Sequence, residues 1–242
     1  MSKSYDDITK FLDKIENFNL HNIKNSNINI IGKRGSGKTW MIIYLLYHLQ
    51  KNNQIDECVI ISPTEKCNPF YTNYVNGKIY YKFDENILIN LIVLQVMRQC
   101  KNHVVLVLDD CFRAPLKNIP SLTNIFNTIG QYNITVIWIM QYPYYLKDFK
   151  KKFNYTFLLS DDFISNINRL YRHYAKKIFP NEYIFRKVFQ EMTKDHNAMC
   201  IMNNNDKQDK TIFELITKLE ATPVIDFKIK SSPIKYNDDI EV

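Results

Sequence analysis

The fold of this 242-residue chain is decided by one glycine-rich stretch, Gly32-Lys33-Arg34-Gly35-Ser36-Gly37-Lys38-Thr39. This stretch matches the pattern GxxxxGK[ST] at every fixed position. In such a loop the glycines let backbone N–H groups converge on a phosphate, and the following helix adds its positive N-terminal end. Lys38 would reach the β- and γ-phosphates of ATP, and Thr39 would supply a hydroxyl to Mg²⁺. We therefore predict that these eight residues bind the nucleotide, with ATP and Mg²⁺ as cofactors.

The segments around the loop predict an α/β fold. Residues 27–31 form a short strand that leads into the loop, and residues 39–50 are apolar on most sides, as in a helix packed on a sheet. Strands that alternate with helices predict a three-layer fold with a mostly parallel central sheet. The further predicted strands are 58–62, 78–83, 104–108, 134–140, 155–159 and a hairpin of 198–202 with 211–216. The further predicted helices are 85–101, 120–130, one that begins at 161, and 181–192.

The predicted organisation has three parts. Residues 1–25 are expected to form an N-terminal helix and a link, because apolar residues at 8, 11, 12 and 15 have helical spacing. Residues 26–220 contain all of the alternating strands and helices, and form the predicted phosphate-loop domain. Residues 221–242 are polar and end acidic, so we expect a flexible tail there.

The composition limits the possible compartments and partners. The chain has 32 Lys and Arg against 25 Asp and Glu, for a formal net charge of +7. This balance favours a polyanionic partner such as nucleic acid, because phosphate contacts release counterions, although a solvated lysine-rich surface is the alternative. Five cysteines without CxxC spacing predict reduced thiols in a cytosol-like compartment. The most apolar run, residues 87–97, is too short for a bilayer core of roughly 30 Å, so no membrane partner is expected.

A second motif is an apolar run, residues 104–108, that ends in two acids. A continuous apolar run is typical of a central parallel strand, and acids at its carboxyl end would lie beside the phosphate loop. Asp109 would bind Mg²⁺ opposite Thr39, and Asp110 would orient or deprotonate the attacking water. The alternative for Asp110 is a helix N-cap, since Asp is a favoured residue there.

Three stretches together carry a family resemblance: GKRGSGKT at 32–39, VVLVLDD at 104–110 and TVIWIMQYPYYL at 135–146. With these stretches the chain resembles the poxvirus-type DNA-packaging ATPases of large DNA viruses. Those ATPases belong to the same superfamily as the bacterial FtsK and HerA translocases. The resemblance implies the additional-strand, RecA- and FtsK-like form of the P-loop NTPase fold. In that form, the strand before Gln141 lies between the strand that leads into the phosphate loop and the strand that ends at Asp109. Gln141 would then sense the γ-phosphate; the alternative is an amide that satisfies loop backbone.

The resemblance also implies an ATP-driven motor, a homo-oligomeric ring that moves double-stranded DNA into a capsid. A capsid or portal-vertex protein is a possible partner, and the location would be the host cytoplasm or the virion. The usual arginine after the glutamine strand is replaced by lysines at 150–152, which lack the planar fork of Arg. Candidates for an arginine that acts on a neighbouring subunit are therefore Arg113, Arg169 and Arg172, with Arg34 as an alternative within the subunit.

Other functions remain open at this stage. A GTPase is disfavoured because no NKxD-type guanine box is present. A nucleotide kinase would need an Arg-rich lid, and the six arginines are scattered. A weakly hydrolysing ATP-binding accessory subunit would fit the missing arginine, but not the intact acids. The segment 142–153, with four lysines, is either a DNA-contacting loop or a surface loop with its tyrosines packed below.

Overall fold

The computed structural model describes residues 8–111, 120–141, 152–203, 210–224 and 226–231. Within these ranges the strands are β1 Asn27–Ile31, β2 Glu57–Ile61, β3 Val75–Asn76, β4 Val104–Asp109, β5 Ile134–Met140, β6 Tyr155–Leu158, β7 Ala198–Met202, β8 Ile216–Leu219 and β9 Ile229–Ser231. The helices are α1 (residues 8–12 of it described), α2 Lys38–Lys51, α3 Glu85–Met97, α4 Pro120–Tyr132, α5 Ile164–Leu170, α6 Glu182–Met192 and α7 Ile212–Leu215. A π-helical turn, Tyr171–Ala175, continues α5.

The strands form a single sheet in the order β3-β9-β2-β4-β5-β1-β6-β7-β8. The pairs from β3 to β6 along this order are parallel, and only β6 with β7 and β7 with β8 are antiparallel. The predicted fold class is therefore confirmed. β5 lies between β4 and β1, which is the placement that the resemblance implied for the strand before Gln141.

Helices cover both faces of the sheet, as the three-layer prediction requires. Along β4 the side chains alternate: Val105 and Val107 join one core with α2, whereas Leu106 and Leu108 join a second core with α3 and α4. A third core lies under α5 and α6, around β7 and β8. The central strands are buried on both sides, which explains their continuous apolar sequences. None of the described helices is long and apolar enough to cross a bilayer.

Two predicted strands differ from the structure. Residues 211–216 were predicted as a strand, but Ile212–Leu215 is helical because Thr211 and Glu214 form a capping box, and the hairpin partner of β7 is β8. In 78–83, Tyr80 makes only an isolated bridge to Ile61, and the nearby strand is β3.

Part of the segment 221–242, predicted as a flexible tail, packs against the sheet. β9 pairs with β2 and β3, and Val224, Phe227 and Ile229 are buried, because this short segment covers apolar surface beside α2. Residues 1–7 and 232–242 lie outside the described residues.

Candidate nucleotide-binding site

The phosphate loop joins the carboxyl end of β1 to α2. Gly35 and Gly37 have φ angles of 79° and 92°, in the left-handed region that favours glycine. A Cβ atom on Gly32 would lie 2.8 Å from the Cβ of Leu159, so no side chain fits there. Gly37 caps α2 without a side chain, so the first N–H groups of the helix stay available to an anion. The loop is shaped to hold a phosphate group.

Two loop side chains support this interpretation. The Nζ atom of Lys38 donates to the backbone oxygen of Lys33 at 2.8 Å. Burial lowers the pKa of Lys38, whereas the charges of Asp109 and Asp110 raise it, so the ammonium group interacts with both acids. Ser36 is buried, and its Oγ has no hydrogen-bond partner among the described residues. A buried hydroxyl without a partner is costly, and a phosphate oxygen would satisfy it.

Asp109 ends β4 and is buried. Its Oδ2 accepts a hydrogen bond from Tyr71 Oη at 2.9 Å and another from Ser62 Oγ at 3.3 Å. Burial raises the pKa of Asp109, and the hydrogen bond from Tyr71 opposes that shift. Thr39 lies half-buried in the first turn of α2. A carboxylate and a hydroxyl are ligands that Mg²⁺ prefers, so the pair fits this ion.

This pair would not bind Mg²⁺ alone. Within the described ranges, no group of three or more His, Cys, Asp or Glu side chains comes together as a metal site. Mg²⁺ requires near-octahedral oxygen coordination, and in nucleotide sites phosphate oxygens and waters complete it. A magnesium ion here would therefore be held jointly by Thr39, Asp109 and a nucleotide.

Asp110 and Gln141 meet across the ends of adjacent strands. In the β4–β5 register Asp109 lies opposite Ile139, so the residues that follow the two strands come close together. The Nε2 atom of Gln141 donates to Asp110 Oδ2 at 2.6 Å. Asp110 has a φ of 52°, a conformation that non-glycine residues adopt at a cost of about 1–3 kcal/mol. Cys111 is not helical, so Asp110 does not cap a helix that begins there.

The chain is similar to proteins of DNA viruses. The uncharacterized protein L437 of Acanthamoeba polyphaga mimivirus is 34% identical over 206 residues, which cover 77% of this chain and 71% of that protein. This chain belongs to the family of L437. Protein 088R of Invertebrate iridescent virus 3 is 29% identical over 221 residues, which cover 88% of this chain and 83% of that protein. No protein-family model matches the chain.

Solved structures share the fold of this L437-like chain. It superimposes on B204, the DNA-packaging ATPase from Sulfolobus turreted icosahedral virus, with a TM-score of 0.61 at 14% identity. The match covers 84% of this chain and 99% of B204. The conjugation coupling protein TcpA of pCW3 gives a TM-score of 0.51 at 13% identity, over 83% of this chain and 61% of TcpA. The fold implied by the resemblance is thereby confirmed.

The described candidate arginines are all exposed. Arg34 is exposed in the phosphate loop, and Arg169 and Arg172 are exposed on α5 and its π-helical turn. Arg113, and the segment 142–151 that contains Lys150 and Lys151, fall outside the described residues. Lys33, predicted to bind nucleotide, forms an ion pair with the exposed Asp162.

No sequence motif marks several of the residues that neighbour the site. Tyr71 and Glu65 come from the irregular connection between β2 and β3, where no motif marks them. Ser62 directly follows β2, and no motif assigns it a role. His196 lies beside the loop, with its Nδ1 3.6 Å from where a Cβ of Gly37 would be. Only the folded chain brings these residues to the phosphate loop.

Proposed function

We propose that this chain is an ATPase that hydrolyses Mg·ATP to drive double-stranded DNA into a viral capsid. The observation that carries the proposal is the hydrogen bond between Gln141 and Asp110 at 2.6 Å, beside Lys38 and Asp109 at one edge of the sheet. This arrangement combines a lysine that would bind phosphate, a carboxylate that would bind Mg²⁺ and a second carboxylate that would orient the attacking water. The fold shared with the DNA-packaging ATPase B204 and the relatives from large DNA viruses support the same function.

The chemistry can be assigned to individual side chains. Lys38 and the N–H groups of the loop would bind the β- and γ-phosphates and stabilise the charge that develops during transfer. Mg²⁺, held by Thr39 and Asp109, would neutralise phosphate charge when bound. Asp110 would accept a hydrogen bond from the attacking water and orient it in line with the γ-phosphate.

Gln141 would link the state of the nucleotide to Asp110. The side-chain amide of Gln141 donates a hydrogen bond to Asp110 Oδ2. A γ-phosphate oxygen could accept a hydrogen bond from the same amide N–H groups and would compete with Asp110 for them. When the amide turns to the phosphate, the Asp110 oxygen becomes available to water. The lysine-rich segment 142–153 follows Gln141 directly in the sequence, so DNA bound there would act on this exchange.

An exposed basic face supports DNA as the partner. The helical segment formed by α5 and its π-helical turn buries apolar side chains on one side. Its exposed side carries Arg169, Arg172 and His173, and the exposed Lys176 and Lys177 follow it directly. Such side chains bind phosphates without reading the base sequence, as a packaging motor requires.

A ring of identical subunits would complete the site. The charge on the transferred phosphoryl group calls for a further cation, which an arginine of a neighbouring subunit commonly supplies. The candidates among the described arginines are Arg34, Arg169 and Arg172, whose side chains are exposed. If one of them acts in trans, mixing its alanine variant with Lys38→Ala should restore partial activity, because some mixed interfaces are intact.

The decisive experiment is steady-state ATP turnover by the purified chain with and without duplex DNA, with Lys38→Ala as the inactive control. We expect DNA to stimulate turnover, and the stimulation to fall steeply as salt rises. An ATP turnover rate that is the same with and without DNA would contradict the motor function. Phosphate transfer to a second nucleotide would indicate a kinase. ATP binding without turnover would favour an accessory subunit.

A ring would act in the host cytoplasm or on the virion, with a capsid or portal-vertex protein as its partner.

A further inference from the structure

The connection between β2 and β3 contacts one proposed Mg²⁺ ligand, Asp109, and the residue that follows the other, Trp40. We call its residues 65–74 the clamp segment. Tyr71, in this segment, is fully buried and its hydroxyl donates to Asp109 Oδ2 at 2.9 Å. Ser62, just before the segment, donates to the same oxygen at 3.3 Å. Two donors therefore fix one oxygen of the carboxylate, and neither of them occupies Oδ1.

A buried carboxylate holds Tyr71 in place. Glu65 is buried, and its two oxygens accept hydrogen bonds from the backbone N–H groups of Phe70, Tyr71 and Thr72 at 2.9, 3.1 and 3.0 Å. Hydrogen bonds to a charged acceptor are about twice as strong as neutral ones. Glu65 thereby folds the segment into a tight turn, whose shape sets the direction of the Tyr71 side chain.

The other end of the clamp segment contacts the start of α2. Trp40 directly follows Thr39 and packs edge-on against the Phe70 ring, with centroids 5.1 Å apart and an interplanar angle of 85°. Trp40 also contacts Tyr74, at 6.5 Å between centroids. Aromatic pairs in this geometry stabilise a contact beyond the effect of their buried area. The segment therefore contacts the residue next to one ligand and the side chain of the other.

We propose that the clamp segment sets the position of Asp109 relative to Thr39, with Tyr71 as the positioning residue for Mg²⁺ binding. This inference rests on the proposed function, because it concerns the metal that accompanies ATP. Partners that orient a metal ligand typically change metal affinity by about 10- to 100-fold when they are removed. Tyr71→Phe removes only the hydroxyl and keeps the buried ring, so it tests this role directly.

The experiment measures the affinity of a fluorescent ADP analogue in EDTA and over a series of Mg²⁺ concentrations. For Tyr71→Phe we expect unchanged affinity in EDTA and at least about a tenfold higher Mg²⁺ concentration for half-maximal tightening. Excess Mg²⁺ should restore tight binding. Ser62→Ala and Glu65→Gln should shift the Mg²⁺ dependence in the same direction. Tyr174→Phe is the matched control, because that buried hydroxyl contacts Asn29 instead of Asp109.

The outcomes separate this inference from the proposed function. A wild-type chain that binds no nucleotide would overturn both. Tight Mg²⁺-dependent binding by the wild type, with the same Mg²⁺ dependence in Tyr71→Phe and Ser62→Ala, would overturn only the role of the clamp segment. Equal losses in EDTA and in Mg²⁺, or equal losses in Tyr71→Phe and Tyr174→Phe, would show general destabilisation and also overturn it.

Discussion

Replacing Asp110 by asparagine removes one negative charge from the proposed site and keeps the shape of the side chain. The asparagine oxygen can still accept the hydrogen bond from Gln141 Nε2, which is 2.6 Å long in the structure. The φ of 52° at this position is also one that Asn tolerates as well as Asp does. The substitution therefore changes the chemistry of the acid with little change in the backbone.

The magnitude follows from the role given to Asp110. A positioned general base contributes about 10²- to 10⁴-fold, so turnover should fall by at least about a hundredfold, or about 3 kcal/mol in the barrier. Nucleotide binding should persist. The charge of Asp110 raises the pKa of Asp109, so its removal favours the ionised form that would bind Mg²⁺. Lys38 loses one of the two charges that raise its pKa, but the charge of Asp109 remains beside it.

The assay pairs phosphate release with binding of a fluorescent ATP analogue in the presence of Mg²⁺. Asp226→Asn is the matched control, because Asp226 also has a positive φ, of 63°, and is exposed in the turn before β9. The control should hydrolyse ATP like the wild type. Wild-type turnover in Asp110→Asn would refute the reasoning, since Asp110 would then have no role in activating water.

Three further predictions concern single side chains. Lys38→Ala should weaken ATP binding or abolish turnover, because it removes the main cation on the β- and γ-phosphates; normal hydrolysis in this variant would contradict the phosphate-loop assignment. Gln141→Ala should still bind ATP but lose stimulation of turnover by DNA, and unchanged stimulation would argue against a sensor. Burial lowers the pKa of His103 to about 4, so the folded chain keeps it neutral while the unfolded chain takes up a proton. Urea unfolding should show stability falling by up to about 3 kcal/mol from pH 6.5 to pH 4, and His103→Gln should remove that loss if the protonation argument holds.

The central strands and the phosphate loop could be predicted because their signals are local. β4 and β5 are buried on both faces, so each appears in the sequence as a largely apolar run that leads to an acid or a glutamine. β1 contains two asparagines and is indicated by the phosphate loop that follows it. The order of these strands came from the family resemblance, since spacing along a chain does not fix neighbours in a sheet. That order brings Asp110 and Gln141 together.

The remaining features depend on contacts between distant residues. Tyr71 reaches Asp109 because Glu65 accepts hydrogen bonds from three backbone N–H groups and so shapes the turn. Nothing in the sequence around Glu65 distinguishes it from a surface acid. β9 is three residues long and lies in a polar region, so its pattern is too short to indicate a strand. The residues of the helical turn Ile212–Leu215 suit a helix or a strand equally well, and the capping box at Thr211 favours the helix.

The late position of β9 in the chain has a consequence for synthesis on the ribosome. In the described sheet β3 is an edge strand with β9 as its one neighbour. The same late segment holds the clamp segment: Ile229 N donates to Tyr74 O at 2.9 Å, and Lys228 Nζ donates to Thr72 O at 3.1 Å. A nascent chain would therefore form the phosphate loop and Asp109 first, and would lack the partner of the clamp segment until residues 226–231 emerged. Under the proposed function, Mg²⁺-dependent ATP binding would therefore reach full strength only after residues 226–231 had joined the sheet.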